Sequence, residues 1–324
     1  KVGDAALEID PRPPLRATLA IEILSARAVM LSRLPAPGDR DAGAIGLPLP
    51  LWRQRLAIDT LHLDGALPGA PLLTLEGSGQ ASGVGDLEAI LLLSTRDRPD
   101  HYRLEIARAR GREQLDLAMS ETPGGLVAAL ATAAGVRVPT PLGAWRLDAT
   151  ADGPLTALAL SAVLDAGPLQ ASVEGMVDLT NRSTTGLRIA ADLPAMAIDP
   201  GDAPGLAWGR ASLTADLDGP LRRPHGSARI EVDHLDVGEL AIEHLAAKGD
   251  GDASGLRFDA TLRGMRVPTA LPESMASVPL RITGALDPSV PARPFQLDVA
   301  HPLLDLAMTG ELTTRSAQAS LSLP

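Results

Sequence analysis

A chain of 324 residues of which 45% are hydrophobic has enough apolar surface to bury a core, so a disordered polymer is excluded. A net charge of −11, with arginines scattered among Asp and Glu, excludes the basic stripe that nucleic-acid binding needs; no nucleic-acid partner is expected. The absence of cysteine excludes disulfides, thiolate metal sites and a cysteine nucleophile.

Aromatic residues make up only 2% of the chain, so its apolar surface is almost wholly aliphatic. A GC-rich genome is one explanation, because Lys1 and Lys248 are the only lysines and Asn181 is the only asparagine. No run approaches the ~20 apolar residues of a membrane-spanning helix. The chain opens at Lys1 with no Met, basic segment or apolar segment of a signal peptide, and is expected to be an interior fragment of a longer protein.

Period-two alternation starts at once. Ala5, Leu7 and Ile9 are followed by Ala17, Leu19, Ile21 and Ile23, with Pro11, Pro13 and Pro14 between the runs. Such alternation marks a strand wetted on one face. Residues 34–50 are rich in Pro and Gly and are expected to be a loop. Leu56, Ile58, Leu61 and Leu63 follow, then Asp64-Gly65 as a turn. Gly77 to Gly85 (GSGQASGVG) is expected to be a hairpin turn, since it lacks the Gly-Lys-Ser/Thr ending of a phosphate-binding loop.

Leu87, Ala89, Leu91 and Leu93 resume the alternation, and Tyr102, Leu104, Ile106, Leu115, Leu117 and Met119 form a hairpin around Ala109-Arg110-Gly111. The stretch from Gly125 to Ala134 breaks the pattern: Leu126, Ala129, Leu130 and Ala133 have helical spacing and Gly135 ends it, so a short helix is predicted at about 125–134. A second short helix is a candidate at 272–277.

Strands are predicted again at Trp145, Leu147 and Ala149, at Leu158 and Leu160, at Leu169, Ala171 and Val173, and at Leu187 and Ile189. The pattern is clearest from Trp208 to Gly264. Leu213, Ala215 and Leu217 lead to a turn at Asp218-Gly219-Pro220; Ile230, Val232, Leu240 and Ile242 lead to a Gly-Asp-Gly-Asp turn; Leu256, Phe258, Ala260 and Leu262 follow. Leu280, Ile282 and Leu286, then Phe295, Leu297 and Val299, then Leu304, Leu306 and Met308 carry the alternation to the end.

The expected fold class is therefore all-β: many short, mostly antiparallel strands with one or two short helices. So many strands cannot stay in one flat open sheet, which curls or splits beyond ~10 strands. An alanine-rich face short of rings leaves space if two halves of such a sheet stand a full layer apart. Either the layers approach closely or something apolar that is not protein fills the space; the second is favoured.

No catalytic constellation is evident. His62, His101, His225, His234, His244 and His301 are scattered and are read as surface strand positions, and Asp148, Asp216, Glu231 and Asp259 fall on the polar faces. There is no Gly-Xaa-Ser-Xaa-Gly or His-Glu-Xaa-Xaa-His motif, and no enzyme activity, metal or cofactor is expected.

The Leu-Xaa-Asp-Gly-Pro-Leu turns, the phrase TLHLDGALPGAPLLTLEGSGQA, the segment GGLVAALATAAG and the cadence DLDGPLRRPHGSARIEVDHLDVGELAIEHLAAKGDG resemble TamB-type proteins of the AsmA-like superfamily. The resemblance covers most of the chain and rests on cadence rather than an invariant motif. It implies that residues 1–324 are a single elongated β-groove segment: a long, U-shaped, β-taco-like curled sheet with an apolar inner face. It also implies a periplasmic location with an inner-membrane anchor outside these residues, and phospholipid acyl chains as cargo. A TamA-like barrel of the BamA family in the outer membrane is the implied partner, docking outside this chain. The implied roles are phospholipid movement between the membranes and support of outer-membrane protein assembly.

The groove lining would comprise Leu56, Ile58, Leu104, Ile106, Leu147, Leu160, Leu187, Ile189, Leu213, Leu217, Ile230, Val232, Leu240, Ile242, Leu256, Phe258, Leu280 and Ile282. Two other readings stand beside this one: a secreted β-solenoid passenger or adhesin with a solid core, and a periplasmic chaperone that pairs its strand edges with unfolded barrel proteins.

Overall fold

Alternating sequence becomes strand almost everywhere in the computed structural model, which describes residues 2–9, 21–30, 51–63, 67, 69–82, 85–133, 143–198, 205–266, 278–312 and 316–322. These contain 21 strands and one helix, so the all-β expectation holds. The chain divides into two compact units, Lys1–Gly167 and Pro168–Pro324.

The first unit carries β1 (Val2–Ile9), β2 (Ile21–Met30), β3 (Leu51–His62), β4 (Leu73–Ser82), β5 (Leu87–Thr95), β6 (His101–Ala109), β7 (Arg112–Glu121), the helix α1 (Leu126–Ala133), β8 (Trp145–Gly153) and β9 (Leu158–Ala166). Each strand pairs with the next in sequence. All these pairs are antiparallel except β2 with β3, which are parallel. Neighbours in sequence are thus neighbours in space, which short turns between antiparallel strands allow. The β6–β7 turn is the two-residue Arg110-Gly111, both with positive φ (51° and 76°), the geometry that matches the twist of the flanking strands.

The second unit carries β10 (Leu169–Asp178), β11 (Ser183–Leu193), β12 (Met196–Ile198), β13 (Leu206–Trp208), β14 (Arg210–Pro220), β15 (His225–Val237), β16 (Leu240–Gly251), β17 (Leu256–Arg266), β18 (Leu280–Leu286), β19 (Pro294–His301), β20 (Leu304–Glu311) and β21 (Ser316–Ser322). All its pairs are antiparallel. The long β15 pairs with β14 along one part and with β13 along another. Carboxylates tie several turns. The Asp252 carboxylate accepts the Ser254 and Gly255 amides and the Ser254 hydroxyl; Asp287 does the same for Ser289. These hydrogen bonds hold both carboxyls below the ordinary Asp range.

Three expected turns sit elsewhere. Gly77 to Ser82, read as turn, is strand within β4; glycine leaves no side chain to mark a face, so alternation there is silent. Asp218-Gly219-Pro220 ends β14, and the chain turns at Leu221 to Pro224 instead. The Asp218 carboxylate accepts the Gly186 amide of β11 at 2.6 Å, extending the pairing. The Gly-Asp-Gly-Asp stretch likewise continues β16 to Gly251, and the turn is Asp252 to Gly255. The predicted helix at about 125–134 is α1, Leu126–Ala133. The predicted loop 34–50 and helix 272–277 lie outside the described residues. No helix among the described residues is long and apolar enough to cross a membrane.

Candidate functional site

Register decides whether the apolar positions of separate strands share a face. In the second unit they do. Leu213 pairs with Ile230, Ile230 with Ala247, Ala247 with Ala260, Ala260 with Ile282, Ile282 with Val299, and Val299 with Leu306. A parallel row links Ile189, Ala215, Ala228, Gly249, Phe258, Gly284, Leu297 and Met308. These rows contain no polar side chain. Because successive residues point to opposite sides, the intervening rows carry the charges. There Asp216, Ser227 and Asp250 stand in line, and Arg229, Lys248 and Asp259 form another row.

The charged face is laced by exposed ion pairs such as Arg188–Asp216 (3.1 Å), Arg210–Asp192 (3.0 Å) and Arg281–Asp259. The Arg281 hydrogen bond holds the Asp259 carboxyl below the usual range. Exposed pairs contribute little to stability, ~0–1 kcal/mol each. Their effect is to keep this face wet and to set the orientation of the sheet.

The apolar face is unevenly covered. Ile242 (4% exposed), Ala260 and Leu262 form a buried cluster with Leu235, Leu240, Leu245, Met265, Leu280 and Ile282 packed on it. Yet Ile230 is 42% exposed and Phe258 40%, in the middle of the same rows, and Leu256, in the next row at the start of β17, is 42% exposed. Glycines explain part of this. Gly249 and Gly284 flank Phe258 in register, and a Cβ on Gly284 would collide with the Phe258 ring. The ring covers a bare stretch of neighbouring strand. Leu256, Leu286, Phe295 and Gly310 are also paired in series; an open depression of about 850 Å³ at this end of the strands is lined by them together with Arg257, Gln296, Thr309, Glu311 and Gln318 of the polar alternation.

Leu240 and Ile242 reach this face by a device that strict alternation misses. Counting by twos from Leu245 would put Ile242 on the wet side. A crease crosses three strands at His234, Glu243 and Gly264, with positive φ at His234 (53°) and Gly264 (63°). Beyond it the apolar residues step by three: Val232 to Leu235, Leu245 to Ile242, Leu262 to Met265. All three steps stay within the buried cluster or its immediate surroundings. The same line separates β13 from β14 at Gly209, whose amide donates to the Asp233 carbonyl at 2.8 Å.

The first unit repeats the arrangement. Leu56, Gly77, Leu91, Leu104, Leu117, Ala149 and Ala162 form one row; Ile106, Leu115, Ala151 and Leu160 lie in another; and Ile58, Leu75, Leu93, Tyr102, Met119, Leu147 and Leu164 form a third. Here a buried cluster of Leu61, Leu63, Leu67 and Leu73 lies beneath α1, with Leu126 and Ala129 packed on it.

The sequence-predicted residues that these rows contain differ widely in exposure. Val232 and Ile242 are buried, whereas Ile230, Leu256 and Phe258 are open. Among the described residues no group of acidic and histidine side chains could hold a metal ion. The histidines do not converge: His244 Nδ1 pairs with the Asp233 carboxylate across the β15–β16 ladder at 2.8 Å. His301 was read as a surface residue and is buried, its Nδ1 accepting the Leu303 amide at 3.1 Å in the β19–β20 turn.

One polar cluster was not foreseen, because its members lie on separate strand ends. Tyr102 donates to Glu121 Oε2 at 2.6 Å, and the same carboxylate accepts the amides of Val127 (2.7 Å) and Ala128 (3.1 Å) at the start of α1. Leu126 donates its amide to the Tyr102 oxygen at 3.2 Å. Asp100 Oδ1 accepts both the amide and the hydroxyl of Thr122, at 2.7 and 2.6 Å. Burial, and then the hydrogen bond to Glu121, push the Tyr102 hydroxyl above the ordinary tyrosine range. The cluster caps a helix terminus.

Comparison with known families, with curated proteins and with solved structures returns no match to this chain.

Proposed function

We propose that this chain is a periplasmic segment of a TamB-like protein that shields phospholipid acyl chains on its apolar sheet faces. Movement of phospholipid between inner and outer membranes is the activity it would serve, with support of outer-membrane protein assembly alongside. The U-shaped, taco-like curl, with the apolar face inward, belongs to the same proposal. So do an inner-membrane anchor and a TamA-like barrel partner, both engaged through regions outside these residues.

One observation carries the reading: rows free of polar side chains whose members Ile230, Leu256 and Phe258 are about 40% exposed while charges crowd the opposite face. Such a surface suits a ligand recognised by area rather than by hydrogen bonds. Each buried methylene contributes ~0.8 kcal/mol wherever it lies along the row, so a chain can slide without breaking a specific contact.

The test is a photo-crosslinking residue placed at Ile230 or Leu256, with Arg229 and Arg257 on the charged face as controls, followed by mass spectrometry of the adducts. Phospholipid adducts at the apolar positions and not at the controls are expected. Equal yields on both faces, or no lipid at either, would refute the proposal. A solid-cored adhesin gives the second result. Adducts with unfolded barrel strands in place of lipid would favour strand pairing.

A further inference from the structure

We propose that α1 is a built-in occupant of the apolar face of the first unit, lying where an acyl chain would lie and displaced when one arrives. The proposal rests on the lipid-shielding reading above and adds a gate to it.

Topology does not require the helix. Strands β7 and β8 are adjacent and pair from Glu113–Gly153 to Glu121–Trp145, a connection that a tight turn could make. Instead the chain leaves Glu121, forms α1 and places Leu126 and Ala129 against a cluster built from β3, β4 and the segment after β3. Beneath it Leu67 and Leu73 are fully buried, whereas Leu91, two rows away on the same face, is 39% exposed. Next to the helix the face is dry, and two rows on at Leu91 it is open.

The helix is itself unusual for a surface element. Its sequence, LVAALATA, has no charged residue, and apolar side chains occur all round it. A helix of that kind is normally enclosed on every side. Here no residue of α1 is buried, Leu130 at the edge of the packed face is 39% exposed, and Val127, Ala128 and Ala131 leave the far side apolar as well. An element that is apolar outside as well as inside suits a space it shares with hydrocarbon.

Its N-terminal end is held by hydrogen bonds. The Glu121 carboxylate holds the Val127 and Ala128 amides and is in turn held by Tyr102, while Pro123, Gly124 (φ 81°) and Gly125 form the approach. A Cβ on Gly125 would collide with the Glu121 side chain, so the latch and the hinge share one spot. Among the described residues, Leu126 and Ala129 are the helix side chains packed on the buried cluster.

The test places a photo-crosslinking residue at Leu93, which touches the covered cluster, and a second at Ile230 in the other unit as an uncovered reference. Without lipid, Leu93 should yield an adduct with the α1 peptide. With palmitate added, that adduct should give way to palmitate. In Glu121→Gln, which loses the anionic cap, half-replacement should need about five- to tenfold less palmitate at Leu93 and unchanged palmitate at Ile230. The unsubstituted latch gives the same competition readout, so the outcome does not depend on how the variant folds. Palmitate adducts at Ile230 with an α1 adduct at Leu93 that never yields to palmitate would overturn the gate and leave the lipid reading standing. Palmitate at neither position would overturn both.

Discussion

Replacing Glu121 by alanine isolates the contribution of one carboxylate to one helix. The side chain is 2% exposed and accepts three hydrogen bonds, from the Tyr102 hydroxyl and the amides of Val127 and Ala128. Losing a helix cap costs ~0.5–2 kcal/mol. Leaving the buried Tyr102 hydroxyl without its acceptor adds ~1–3 kcal/mol. The local opening free energy of α1 should therefore fall by about 1.5–5 kcal/mol, or about 10- to 4,000-fold in protection against hydrogen exchange.

The informative amide is Ala129, which donates not to Glu121 but to the Gly125 carbonyl, at 3.0 Å, closing the first turn. Exchange followed by NMR in the opening-limited equilibrium regime should show its protection fall by that factor or to the unprotected rate. If Val127 and Ala128 lose protection while Ala129 keeps its own, the carboxylate satisfies two amides without holding the helix, and the reasoning fails.

Two further outcomes follow from the same geometry. Tyr102 is the only tyrosine, so phenolate absorbance near 295 nm reports on it alone. Its folded pKa is raised, so it contributes stability that is fully present below the unfolded value of ~10 and is lost as pH rises beyond it; absorbance should appear only as alkaline unfolding sets in, and titration at the ordinary pH with the fold intact would contradict this. Ile242→Asp buries an unpaired carboxyl in the cluster of Ala260 and Leu262 and should cost about 3–5 kcal/mol, whereas Glu243→Ala removes an exposed pair with Arg266 and should stay within ~0.5 kcal/mol. Urea unfolding followed by far-UV circular dichroism distinguishes these, and equal costs would show that the crease does not turn Ile242 inward.

Much of the fold is legible because a half-wetted strand writes its period directly into the side chains. Arg229, Glu231 and Asp233 against Ile230 and Val232 leave one assignment, and Arg110-Gly111 names its own turn. Legibility fails where a residue has no side chain to declare a face. Gly77 and Gly79 lie on the apolar side of β4 yet read as loop. It fails again where phase shifts. Nothing between Leu245 and Ile242 announces that the backbone at His234 and Gly264 on the neighbouring strands takes a left-handed turn. The latch was out of reach for another reason: Tyr102 and Glu121 read as ordinary members of two alternating strands, and only register sets them side by side as His101 pairs with Ser120 and Tyr102 with Met119.

The crease has a consequence for how this sheet can change. Each strand that crosses it omits one beat of its alternation at the same height, so the three-residue steps at Val232–Leu235, Leu245–Ile242 and Leu262–Met265 are in phase with one another. Deleting His234 alone would straighten β15 while β16 and β17 kept the crease: Val232 and Leu235 would alternate normally, but Leu235 would come to lie opposite Glu243 in place of Ile242 and the pairing beyond would slip by one. Length changes in one strand are thus vetoed by its neighbours, and an insertion or deletion here survives only if adjacent strands acquire it together. The line behaves as a dislocation shared by several strands: none of them can move it alone, and each keeps the others in step.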